Sequence, residues 1–285
     1  MSEKRQGNPE LGRTLLHGRF KTNYHDQGDG PVILLLHGSG PGVSAWANWR
    51  LALPNLARDH RVIAPDIAGF GFTTVADGAT PDLEMWLEFV TTFLDELETD
   101  RVAVVGNSFG GALALWLASE FPDRVSQLVL MGSVGSEFEL TAGLDAVWGY
   151  EPSLSAMEHL LDVFTYDTGR LPETLAQARF EASARPESAR LYSSLFPAPR
   201  QRWIDALALS ENRLKSVNQP TLLLHGREDE VIPLASSLYL FERIDAADLH
   251  VFSHCGHWVQ IERTDDFCDL VRQHVGTHVT DRSIQ

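Results

Sequence analysis

Six short, dominantly apolar runs of strand length recur along the chain, separated by segments with helical spacing: Val32–Leu36, Arg61–Ala64, Arg101–Val105, Val125–Met131, Thr221–His225 and Leu249–Phe252. A strand with one wet face alternates apolar and polar residues. VILLL, VAVV, LVLM and TLLL do not alternate, so they predict strands covered by helices on both faces. Strand and helix in alternation predict a mostly parallel α/β sheet wound on both sides. Upstream, Thr14–Leu16 and Thr22–His25 are short enough for an antiparallel edge hairpin, bringing the expected sheet to eight strands.

The rhythm stops between residues 135 and 214 and resumes at Thr221. Helical patterns fill the gap, at Ser155–Phe164, Pro172–Ala184 and Arg200–Ala208, with Arg185–Pro186 and Phe196–Pro199 read as turns between them. The expected organisation is one sheet domain, residues 1–134 and 215–285, interrupted by an all-helical cap, residues 135–214. A length of 285 residues suits one large core with such an insertion.

Charge removes several classes of function. With 23 Lys+Arg against 39 Asp+Glu the net charge is −16, which opposes nucleic-acid phosphates and anionic lipid surfaces. Neither nucleic acid nor membrane is an expected partner. No stretch reaches the roughly 20 apolar residues that cross a bilayer, and the start, MSEKRQGNPE, is polar where a signal peptide is apolar. A cytoplasmic location is expected, in agreement with only two cysteines, Cys255 and Cys268. Neither stands in a CxxC pair, so both are expected to be reduced thiols and no metal site is expected.

Gly106-Asn107-Ser108-Phe109-Gly110-Gly111 lies between the run Val102–Val105 and the helical pattern Ala112–Ser119. A serine there is held in a tight bend, where side chains at positions −2 and +2 would collide, and its hydroxyl points out of the sheet. The following helix aims its N-terminal amides at whatever the serine attacks. Ser108 is therefore the expected nucleophile, with the Phe109 amide as one oxyanion donor.

A serine hydroxyl is a poor nucleophile and needs a histidine to take its proton and a carboxylate to orient that histidine. Acids follow the run Thr221–His225 at Glu228, Asp229 and Glu230. His254 and His257 follow Leu249–Phe252, and the glycine before His257 lets that loop carry an imidazole over the sheet edge. Most of the other nine histidines are expected at the surface. His37-Gly38-Ser39-Gly40-Pro41-Gly42 lets backbone approach a ligand closely, so the second oxyanion amide is assigned to Ser39, with Gly38 and Gly40 as alternatives. This run has neither GK[ST] nor G-x-G-x-x-G and is no phosphate cradle. Asp66 is read as a turn former at a strand end.

At these residues the chain resembles the α/β-hydrolases, in which nucleophile, acid and histidine follow in that order and the acid stands three residues after a glycine, here Gly226 and Asp229. More narrowly it is similar to the meta-cleavage product hydrolases. The likeness is carried by HGSGPGVSAWANW (His37–Trp49), RVIAPDIAGFG (Arg61–Gly71), VGNSFGG (Val105–Gly111), GLDAVWGYEP (Gly143–Pro152), FPAPRQRWIDAL (Phe196–Leu207), LHGREDEVIP (Leu224–Pro233) and LHVFSHCGHW (Leu249–Trp258).

The resemblance implies an α/β-hydrolase fold, a Ser108–Asp229–His257 triad and no cofactor. It also implies cleavage of a carbon–carbon bond in 2-hydroxy-6-oxo-2,4-dienoates, giving 2-hydroxypenta-2,4-dienoate and a carboxylic acid. The leaving group is a carbanion, so the dienoate's carboxylate and 2-oxo group must be gripped away from Ser108. By resemblance the grip is Arg179, a fork suited to a carboxylate, with Asn48 and Asn107 nearby; Phe164, Trp203 and Trp258 line the pocket together with Gly38 and Gly40. AWANW, GLDAVWGY and FPAPRQRW look most like members acting on substrates with hydrogen or a small alkyl group at C6. Relatives are commonly homodimers or larger. A carboxylesterase with the same triad and a ligand receptor on this fold are the rival expectations.

Overall fold

The computed structural model describes residues 7–76 and 78–277; the polar residues 1–6 and His278 lie outside them. Among the described residues nine strands form one sheet: β1 (Arg13–His17), β2 (Phe20–Gln27), β3 (Val32–Leu36), β4 (Arg61–Pro65), β5 (Thr74–Val75), β6 (Val102–Asn107), β7 (Val125–Met131), β8 (Thr221–Gly226) and β9 (Ala247–Phe252). Eight of them follow the order β1-β2-β4-β3-β6-β7-β8-β9, the eight expected. The two-residue β5, too short to carry a pattern, pairs with β2 and makes the ninth. Along the order β4-β3-β6-β7-β8-β9 every pairing is parallel, and β1, β2 and β5 form the antiparallel edge.

The absence of alternation is explained by two cores. In β3, Leu34 and Leu36 face one apolar cluster while Ile33 and Leu35 face the other. The first cluster holds α3 (Leu83–Glu96), α4 (Phe109–Glu120) and α11 (Leu234–Phe241). The second holds α1 (Ala45–Trp49), α2 (Leu53–Leu56), α12 (Val259–Glu262) and α13 (Thr264–Thr277). Helix α4 has apolar residues all round and is buried along most of its length, as a helix at the centre of a fold must be.

Between β7 and β8 the described residues form helices only: α5 (Ala142–Trp148), α6 (Leu154–Phe164), α7 (Leu175–Ser183), α8 (Pro186–Leu195), α9 (Gln201–Leu207), α10 (Glu211–Lys215) and a short 3-10 turn. Their apolar residues, Trp148, Phe164, Leu195 and Phe196 among them, join the first cluster. Two corrections follow. Arg185–Pro186 is no simple turn, because Pro186 opens α8, its fixed φ being suited to a first helical position. Nor are most of the other histidines at the surface. His17, His25, His37, His60 and His225 are buried.

Asp66 does hold a turn, accepting Phe72 N–H at 2.8 Å, and it does more. Its carboxyl also takes the Ala45 N–H at 2.6 Å and the Asn23 side-chain amide at 2.9 Å, joining three segments in a fully buried spot. Burial pushes this carboxyl up to about 7. Asp66→Ala strands three buried donors, each worth about 1 kcal/mol or more; denaturant unfolding is expected to show a loss of roughly 3 kcal/mol.

Candidate active site

Ser108 stands between β6 and α4 with φ +55° and ψ −114°, in a region that costs a non-glycine residue about 1–3 kcal/mol. Neighbouring backbone holds it there: its N–H donates to Met131 O at 2.9 Å, and its carbonyl accepts Gly111 N–H at 3.0 Å and Val134 N–H at 3.2 Å. The glycines around it are obligatory. A Cβ on Gly106 would come within 2.4 Å of Gly110 O across the bend, and one on Gly110 within 2.2 Å of Leu36 O in the neighbouring strand. Phe109 is the first residue of α4, so its N–H is among the donors a helix leaves without a carbonyl partner.

Asp229 and His257 follow β8 and β9 at the same, carboxyl-terminal edge of the sheet as Ser108. Asp229 Oδ2 lies 2.7 Å from His257 Nδ1, and its Oδ1 accepts the N–H groups of Val231 at 2.8 Å and Ile232 at 2.9 Å. Burial works to raise this carboxyl, but the charge and hydrogen bond of His257 outweigh it and hold Asp229 below the usual carboxylate range. His254 is exposed and meets Tyr166 edge-on instead. Glu230 is exposed; Glu228 accepts the Cys255 N–H at 3.1 Å and so ties the acid loop to the histidine loop.

Gly132 was not legible as a site residue. With φ +49° it passes directly beneath the pair: a Cβ there would lie 3.0 Å from Asp229 Oδ2 and 3.1 Å from His257 Nδ1. Gly132→Ala is expected to displace the imidazole and lower kcat about 10²-fold, since a shift near 1 Å has that cost. Steady-state kinetics alongside circular dichroism check it.

The His37–Gly42 run faces the serine. A Cβ on Gly38 would lie 3.5 Å from Ser108 Cβ, and one on Gly40 3.5 Å from the Phe164 ring. Ser39 is gripped by the helical segment: its Oγ accepts the Trp148 indole N–H at 2.9 Å, and its carbonyl accepts the Tyr192 hydroxyl at 3.0 Å. Trp148 lay in a motif singled out from the sequence; nothing in the pattern around Tyr192 marked it.

Arg179 is buried on α7. Its guanidinium donates to Gly42 O at 3.2 Å and stands 5.5 Å over the Trp258 ring, and among the described residues no carboxylate forms an ion pair with it. Burial pulls it down to about 10, still cationic at neutral pH. Phe164 stacks on Trp258 at 4.5 Å and on His257 at 6.0 Å between centroids. Asn48 is buried with its side-chain N–H₂ unpartnered, whereas Asn107 reaches Met131 O at 3.4 Å. Trp203 stands apart. It meets Phe196, which in turn stacks on Trp148, and its indole N–H donates to Pro197 O. A cavity of about 540 Å³ shares Gly42 and Tyr192 with this region and is also lined by Phe72 and Arg185.

Residues 31–264 match the alpha/beta hydrolase fold family. The 2-hydroxy-6-oxo-2,4-heptadienoate hydrolase of Pseudomonas putida strain F1 is 54% identical over 264 residues, 93% of this chain and 96% of that protein. A meta-cleavage product hydrolase from Pseudomonas fluorescens IP01 superposes with a TM-score of 0.93 at 49% identity, over 95% of this chain and 100% of that one. The chain belongs to the meta-cleavage product hydrolases. A further member of this hydrolase family, the 2-hydroxymuconate semialdehyde hydrolase of Pseudomonas sp. strain CF600, is 49% identical over 93% of this chain and 94% of its own length. Among the described residues no helix is long and apolar enough to cross a membrane.

Proposed function

We propose that this meta-cleavage product hydrolase cuts the C5–C6 bond of 2-hydroxy-6-oxo-2,4-dienoates carrying hydrogen or a small alkyl group at C6. The observation that carries the reading is Arg179, a buried cation that makes no ion pair among the described residues and stands over Trp258, the chain neighbour of His257. An unpaired buried charge costs stability, and a substrate carboxylate would complete it. The unpartnered Asn48 amide supports a second polar contact there. The small C6 group is supported by the relatives' names, since a 6-oxoheptadienoate has one carbon beyond C6 and a semialdehyde has hydrogen.

In this reading residues 135–214 act as a cap over a core of 1–134 and 215–285. His257, oriented by Asp229, assists transfer of the 2-hydroxyl proton to C5, and the resulting ketone can accept electrons. Ser108, or a water it orients, adds to C6 while the Ser39 and Phe109 amides hold the oxyanion. The C5–C6 bond breaks with its electron pair entering the 2-oxo system; the water adduct collapses directly to the carboxylic acid, whereas a serine adduct leaves an acyl-enzyme that one water hydrolyses. Phe164 and Trp258 form the apolar wall, with Gly38, Gly40 and Asn107 beside the nucleophile. A cytoplasmic homodimer or larger assembly belongs to the same reading and is measured by cell fractionation and sedimentation.

The test is decay of a dienoate's visible absorbance on adding enzyme, run as a panel across C6 substituents. Catalytic turnover, greatest in kcat/KM for hydrogen or small alkyl, is expected. Turnover of simple esters with none of the dienoates overturns it in favour of a carboxylesterase, and a stall after one equivalent in favour of a receptor.

A further inference from the structure

His225 lies at the end of β8 with none of its surface exposed. Its Nε2 is 3.1 Å from Ile232 O and 3.5 Å from Asp229 Oδ2, and its Nδ1 is 2.7 Å from Ser237 Oγ on α11. A carbonyl oxygen only accepts, so Nε2 carries the ring hydrogen and that N–H forks between Ile232 and Asp229. The Ser237 hydroxyl then donates to Nδ1. Asp229 Oδ2 therefore stands between two imidazole N–H groups, a short one from His257 at 2.7 Å and a longer one from His225.

We propose that His225 is a positioning residue for the acid of the triad: its Nε2–H holds Asp229 Oδ2 in line with His257 Nδ1 and lends it a fixed partial positive charge. The Ser237 and Ile232 contacts lock the ring in one tautomer. Burial keeps it neutral, against the pull of Asp229 and with the help of His257; these are the ionisable groups facing it, with Ser237 alone from α11. A neutral ring cannot compete with His257 for the catalytic proton. It also leaves Asp229 its full charge for the imidazolium that forms during turnover.

This inference rests on reading Asp229 and His257 as the base pair of the reaction. His225→Phe keeps the ring shape and removes the N–H, whereas His225→Gln puts an amide N–H near the place of Nε2. On the dienoate, kcat is expected to fall roughly tenfold in the first variant with KM little changed, and to recover in the second. Unchanged kcat in His225→Phe overturns the proposal, and so does a loss that Gln fails to restore, which would mark a packing role. Should the Phe variant not fold, nitrogen-15 NMR of the unaltered enzyme decides. A neutral, Nε2-protonated His225 across the neutral pH range is expected; an Nδ1-protonated ring, or one that titrates, overturns it. Asp229→Asn is expected to cost about 10⁴-fold, as loss of a triad acid does. Full activity in that variant would instead overturn the triad itself.

Discussion

With Ala at position 108, turnover of the dienoate is expected to fall by roughly 10³ to 10⁶-fold, the range left when a triad loses its nucleophile but keeps its oxyanion donors and binding groups. The upper end applies if Ser108 forms an acyl-enzyme and the lower end if it only orients water. Mass spectrometry of a quenched reaction separates the two by the presence of the acyl adduct. Stability is not expected to change by more than about 1 kcal/mol, because alanine at φ +55° carries the same backbone strain as serine. A variant that folds and retains activity within tenfold of the parent would remove Ser108 from the mechanism.

Arg179→Ala is expected to lower kcat/KM for the dienoate by about 10²-fold or more, the usual result of truncating one partner of a buried charge pair. Turnover of a small neutral ester, which has no carboxylate to grip, is expected to stay within a few-fold. Equal losses on both would favour the esterase reading. Stability makes the second check. In the free enzyme this guanidinium makes no ion pair among the described residues; it has Gly42 O, the Trp258 face and the more distant charge of Glu10, so its removal relieves a buried charge that is only partly compensated. Thermal unfolding is expected to show an unchanged or higher Tm, which would exclude misfolding as the cause of lost activity. An excess of 16 negative charges over the whole chain makes this local cation the more necessary for an anionic substrate.

The elements that were legible are those whose burial or bend is written into a short run of residues. Continuous apolar runs marked the buried strands because both faces of β6 and β8 are covered. The glycine-flanked Ser108 was legible because its bend is closed by residues within a few positions of it. Helices α5 and α8 were missed. Helix α5 is only seven residues long, and α8 is half exposed and buries only Tyr192 and Leu195, a weak signal in the sequence.

What the sequence determines by itself is a doubly wound sheet with a helical interruption, a strained serine at a strand end, and a histidine and an acid after the last strands. Local sterics and hydrophobic period suffice for these. The glycine before His257 already favours it over His254, and the tertiary structure adds the contact itself, His257 Nδ1 within 2.7 Å of Asp229 Oδ2. The tertiary structure alone brings Gly132 beneath the pair and Tyr192 and Trp148 onto Ser39. Those contacts join strands and helices far apart in the chain, and their distances follow from how the layers pack around the sheet edge, a property no local window of residues contains.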